Sequence, residues 1–223
     1  MAFGLKKFSF KGGARSPSSQ PEDIRLGLAA WRAGPAPALD GPHFHTRYVI
    51  IDVATSGPRA NDDELQGISA VGLKEGSITP DDAFALEFSA DEADPVAVDR
   101  RLMAFLTYAA KAPLVTYHGP FVSGFLERAF KERLGVNFQP PWIDLAWLLP
   151  SLFPEKSQSP LPLDDWLGVF GIDGGGRRDA MASTLVLARL FQILLVRANE
   201  KSILTAGKLI EESQSASFLR RNH

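Results

Sequence analysis

The chain has 223 residues, 45% of them hydrophobic, which suffices for one domain of ordinary size with extensions. Its formal net charge is -2 and it contains no cysteine, so disulfides, thiolate metal sites and a cysteine nucleophile are excluded, and polyanion binding would need a local basic patch. Met1 to Phe10 is interrupted by Lys6 and Lys7, and no stretch reaches the ~18 uninterrupted apolar residues of a membrane span, so the expectation is a cytoplasmic protein without a membrane role.

Residues 1 to 20 carry Lys6, Lys7, Lys11 and Arg15 without an acid, and read as a basic arm, either disordered or touching nucleic acid or a partner. PEDIRLGLAAWRAG follows. Pro21, Glu22 and Asp23 start a short amphipathic helix that Gly34 stops, with Ile24, Leu28 and Trp31 near one face. Pro35, Pro37 and Pro42 make a linker. His43 and His45 flank Phe44 with the spacing of strand residues on one face, and two histidines do not by themselves hold a metal.

RYVIIDVATSG is the stretch on which the remainder is organised. Tyr48 to Asp52 is apolar on both faces, as a buried central strand is, and it delivers Asp52 to the rim of a sheet. Pro58 to Glu64 is a polar turn whose acids Asp62, Asp63 and Glu64 are expected to face water. Leu65 to Leu73 and Ala83 to Phe88 alternate as strands do, with a turn from Lys74 to Thr79 between them. Asp81 to Asp99 holds seven acids and no base, which reads as a solvated face.

Val96 to Ala110 has helical spacing, and Pro113 to Thr116 is a short strand expected to run parallel to the first, because a helix intervenes. Pro120 to Leu134 is a helix with Phe121, Phe125, Leu126, Phe130 and Leu134 inward. Trp142 to Leu149 holds a strand or turn around Asp144, expected to cap the helical piece that follows. Leu161 to Phe170 is a short helix. Arg178 to Arg197 is a long one with Leu185, Leu187, Ala188, Phe191, Leu194 and Leu195 available to bury, and Lys201 to Glu212 is the last. Strands first, then alternating helix and strand, then closing helices define an α/β layer domain.

Several stretches resemble the DnaQ-like (DEDD) 3'-5' exonucleases, the family of the proofreading subunit of bacterial DNA polymerase, within the ribonuclease H-like superfamily. VIIDVATSG resembles the first family motif, LVTYHGPFVSGFLERAF the second and RDAMASTLVLARLF the third, while WIDLAWLLPSLFP and LPLDDWLGVFGID resemble the linking segments. The resemblance implies a ribonuclease H-like α/β fold, with a mixed five-stranded sheet and helices on both faces. It spans residues 46–197, leaving 1–45 as arm, helix and linker, and 198–223 as a C-terminal helix and tail. Relatives carry partner-binding extensions, and either terminal piece is a candidate for that role.

In the family, four carboxylates hold two divalent ions across the scissile phosphate and a histidine takes the proton of the attacking water. Carried over residue by residue, only Asp52 keeps a motif acid. Ala54 stands at the first-motif Glu, Val122 at the second-motif Asp, Ser183 at the third-motif Asp and Arg178 at the His. A guanidinium stays protonated and cannot act as base, and Arg178 or Arg177 is expected to pair with Asp52 where the ions would have been. If the last motif is shifted, Asp179 is the remaining candidate ligand beside Asp52. Thr55, His118 and Phe121 are the positions that would touch a single-stranded end. The expectation is a degenerate exonuclease-fold protein with no metal, retaining nucleic-acid binding. An active enzyme using Mg or Mn with atypical ligands, and a protein-interaction module without a nucleic-acid role, stay open beside it.

Overall fold

The computed structural model describes residues 20–88, 94–174 and 179–221. α1 (Glu22–Ala33) comes first, then a single 3-10 turn (His43–His45). β1 (Tyr48–Thr55), β2 (Leu65–Lys74) and β3 (Ser77–Glu87) follow, then α2 (Pro95–Ala109), β4 (Leu114–Thr116), α3 (Gly119–Leu134), β5 (Trp142–Asp144), α4 (Leu145–Leu152), α5 (Leu163–Phe170), α6 (Ala180–Glu200) and α7 (Ala206–Arg221). The sheet has five strands in the order β3-β2-β1-β4-β5. β1 to β3 form an antiparallel meander, and β4 and β5 join parallel to β1 through helical crossovers, as expected.

β1 is central because it is apolar on both faces: Tyr48, Val49, Ile50 and Ile51 are all 0% exposed. Each such side chain contributes roughly 1.5–3 kcal/mol by leaving water. Alternation sends Tyr48 and Ile50 into one core, with Val71, Val115 and the apolar faces of α4 to α7, and Val49 and Ile51 into a second, with α1, α2 and α3. α6 is long and apolar enough by composition to cross a membrane, yet its buried residues Val186, Leu187, Leu190, Phe191 and Leu194 belong to the first core.

Several boundaries depart from the sequence reading. β1 runs on to Thr55. β3 begins at Ser77, because the turn before it needs only Glu75 (φ 55) and Gly76 (φ 73), a pair of left-handed residues matched to strand twist. α6 starts at Ala180 rather than Arg178, since Asp179 is its N-cap and accepts from Ala182 N at 2.7 Å. The last helix begins at Ala206 rather than Lys201, after Ser202 in the left-handed region (φ 62) breaks the chain direction. Leu185 is 37% exposed and does not join the core. The acidic stretch is not simply solvated. Asp82 receives Arg47 Nε and Nη2 at 2.7 Å each, and Asp99, 0% exposed, receives Arg133 Nε at 2.7 Å; residues 89–93 lie outside the described residues.

His43 lies in the 3-10 turn rather than on a strand, and it is buried. Its Nε2 donates to the Ile203 carbonyl at 2.8 Å, so Nδ1 is the atom that accepts the Tyr48 hydroxyl at 2.6 Å. Burial holds the imidazole below its usual range, against the pull of the Ile203 carbonyl. A folded-state pKa below the unfolded one means that the unfolded chain binds the extra proton. Stability from this group is therefore complete above pH 6.5 and is lost as pH falls below it. The thermal midpoint is expected to drop between pH 7 and pH 5, and His43→Leu, though less stable throughout, to have lost that component of the slope.

Candidate nucleic-acid interface

Alternation places Asp52 and Ala54 on the face of β1 that looks toward α6. Asp52 pairs across the ladder with Ser69, and Ala54 with Gly67. Asp52 is half-buried, and its Oδ1 accepts from the N–H of Val53 at 2.9 Å. Ser69, 1% exposed, shares a 2.6 Å hydrogen bond with the hydroxyl of Thr184, 0% exposed, and donates to the Ala180 carbonyl at 2.9 Å. The first turn of α6 is thus fastened to β2 immediately beside Asp52. Neither residue was singled out from the sequence. A serine inside the strand run ISAV and a threonine inside an apolar helix were the available signals.

The other motif positions do not gather there. Val122 is 1% exposed and belongs to the second core, with Ile51, Phe125 and Leu126, under the opposite face of the sheet from Asp52. Ser183 is half-buried in the first turn of α6, its N–H bonded to the Asp179 carbonyl at 3.3 Å. Asp179 is exposed, with Oδ1 engaged at the helix cap. Arg177 and Arg178 lie outside the described residues, as does their pairing with Asp52.

Among the three residues expected at a strand end, the Thr55 hydroxyl donates to Gly57 O at 2.9 Å. Phe121 is half-buried, edge-on to Phe125 with centroids 5.1 Å apart. His118 is exposed, in the left-handed region (φ 63, ψ 63) at the N-cap of α3, with its ring edge-on to Tyr117.

The acids of the loop after β1 have protein partners. Asp63 Oδ2 accepts from Arg59 N at 2.8 Å, and Glu64, at 17% exposure, lies 3.8 Å from Arg128, which also donates to the Asp63 carbonyl at 2.5 Å. Only Asp62, at 58%, faces water as expected. The loop lies close against α3: a Cβ at Gly124 would sit 3.0 Å from that of Ala60.

Asp144 caps α4 as anticipated and does more. Oδ1 accepts from Ala146 N and His118 N, both at 3.0 Å, and Oδ2 from Gly119 N at 2.8 Å, so one carboxyl closes the starts of two helices. Burial pushes it above the usual carboxylate range, and the N–H groups of Gly119, Ala146 and His118 pull it back. Asp144→Ala is expected to cost about 2–4 kcal/mol in urea unfolding, roughly two N-caps at ~1–2 kcal/mol each. Asp144→Asn should regain only part of that, because an amide nitrogen cannot accept.

Two dications need converging anionic oxygens. Asp52, Ala54, Val122 and Ser183 offer one carboxylate between them, and a valine inside the opposite core cannot be turned toward the site. Among the described residues, no three of His, Asp and Glu come together as a metal-binding group. The donor set does not fit the family's pair of ions.

A mixed five-stranded sheet in this order, layered between helices, is the ribonuclease H-like fold of the DnaQ-like (DEDD) exonucleases, as the sequence reading expected. The solved structures that it resembles include E. coli exonuclease I in the zinc-bound form of its single-stranded DNA complex, at 15% identity and a TM-score of 0.56 over 70% of this chain and 42% of that one. The same enzyme in complex with a dA16 oligonucleotide gives 16% identity and a TM-score of 0.52 over 75% of this chain and 42% of that one. Brucella melitensis NrnC gives 18% identity and a TM-score of 0.50 over 79% and 83%. The chain therefore spans 42% of the length of those exonuclease I structures, and at such identities the likeness is one of fold. No family model and no curated protein matches the chain.

Proposed function

We propose that this is an exonuclease-fold protein that has lost two-metal phosphodiester hydrolysis and keeps the binding of single-stranded nucleic acid. The observation that carries the first half is Val122. At 1% exposure inside an apolar core, it occupies the position at which the resemblance asks for a metal-binding aspartate. The second half draws support from the oligonucleotide complexes of the similar E. coli fold. The nearer likeness to the polymerase proofreading subunit, with a partner-binding extension beyond Arg197, belongs to the same proposal, as does a cytoplasmic location.

The test is a single-strand digestion with millimolar Mg or Mn, run beside a salt titration of oligonucleotide binding. Binding that weakens with salt and produces no shortened strand is the expected result. Metal-dependent shortening that disappears in Asp52→Ala would establish an active nuclease with other ligands. Absence of binding at low salt, with a protein co-purifying through α1 or α7, would favour the interaction-module reading.

A further inference from the structure

α7 lies beyond the residues that carry the exonuclease-like motifs, and it builds one wall of a cleft. Packed along β5 and α4, it faces the start of α3 across a space of about 440 Å³, within the ~300–1,000 Å³ usual for small-ligand sites. Trp142, Trp147, Phe218 and Pro120 supply its flat apolar surfaces, with Ser217 and Gln214 as neutral hydrogen-bonding groups. Trp142 and Trp147 are half-buried, and Phe218 is 68% exposed on α7.

The charge of the cleft narrows what it can hold. No lysine or arginine is among the described residues that line it, so those residues give a phosphate no counter-charge. Its one acid, Asp144, accepts three backbone N–H groups at the starts of α3 and α4, whose positive dipole ends compensate it. A cation therefore finds little net attraction. What remains is a neutral, planar ligand with polar edges.

We infer that the cleft takes a nucleobase of a single-stranded segment, stacked on Trp147 and Phe218 with its edge toward Ser217 and Gln214. This rests on the nucleic-acid reading above and adds a second point of contact, on the β5 side of the sheet, that uses none of Asp52, Ala54, Val122 and Ser183. Aromatic side chains accept any base, so recognition here is indifferent to sequence.

The experiment is a titration of the full chain, followed by tryptophan fluorescence, with a short deoxythymidine oligonucleotide, with an abasic strand of equal length and with free adenosine. The oligonucleotide should quench and the abasic strand should not. Trp147→Ala and Phe218→Ala should each weaken oligonucleotide binding about tenfold, the factor that follows from losing ~1.4 kcal/mol of stacking. Trp147→Phe should restore most of it. Phe218 is exposed, so its variant tests the cleft without threatening the fold.

Oligonucleotide binding that is unchanged in both alanine variants overturns the cleft and leaves the nucleic-acid reading standing. Failure of the wild type to bind any strand at low salt removes that reading and the strand-borne base together. Adenosine binding that is lost in Trp147→Ala, with no strand bound, would replace the strand by a free nucleoside and equally overturn the inference.

Discussion

Val122→Asp is expected to lower the unfolding free energy by about 3–5 kcal/mol, the range for a charge left unpaired in a protein interior. Position 122 is in the first turn of α3, where an acid is favoured by ~0.3–1 kcal/mol, too little to offset burial at 1% exposure. The introduced carboxyl has a folded pKa above its unfolded value, so the deficit is present near neutrality and shrinks as pH falls below that folded pKa. Urea unfolding at two pH values checks both statements. Val122→Thr, which adds no charge, should cost far less. The functional content lies in the metal arm. If a latent two-ion site existed, millimolar Mg or Mn would raise the midpoint of the aspartate variant. The expectation is no shift, even with Glu, His and Asp placed at 54, 178 and 183, and a metal-dependent rise would mean that the second-motif position can swing out of the core.

Arg133→Ala should be comparably damaging for a different reason. Asp99 on α2 is 0% exposed, and Arg133 on α3 approaches its Oδ1 at 2.6 Å through Nη2 and 2.7 Å through Nε. Removing the guanidinium leaves a carboxylate in an apolar layer without its main counter-charge, at a cost of about 3–5 kcal/mol. The double replacement Asp99→Leu with Arg133→Met removes both charges and keeps the branched and linear shapes, so it should recover most of the loss, less a cost for the larger leucine. A double variant as unstable as the single one would show that the pair is needed for more than mutual neutralisation. Circular dichroism through a urea titration of the wild type, Arg133→Ala and the double variant makes the comparison.

What could be read from the sequence was local. The run Tyr48 to Ile51 announces a strand buried on both faces, and a helix between it and Pro113 dictates a parallel neighbour. From these two facts most of the sheet order follows. Asp144 as the cap of α4 is also local, because that bond reaches only to Ala146, whereas its bonds to His118 N and Gly119 N cross 26 and 25 positions and left no local signal. The pairings that give the site its shape are not local. Asp99 finds Arg133 across 34 positions, and Ser69 finds Thr184 across 115. Periodicity records which face of an element is apolar and is silent about polar groups that meet across layers. That is why the stretch from Asp81 to Asp99 read as solvated although Asp82 and Asp99 bind arginines. α6 starts two residues later than Arg178 for a simpler cause: Asp179 takes the N-cap, a preference that apolar periodicity does not record.

β5 is only three residues long and lies at the margin of the sheet. Its Asp144 N–H donates to Ser213 Oγ at 3.0 Å, so a side chain of α7 takes the place of a further strand. Stripped of residues 206–221, this margin would offer its amides to any extended peptide, including a second copy of itself. A shortened chain ending before Ala206 is therefore expected to precipitate or form fibrils at concentrations where the full chain stays dispersed.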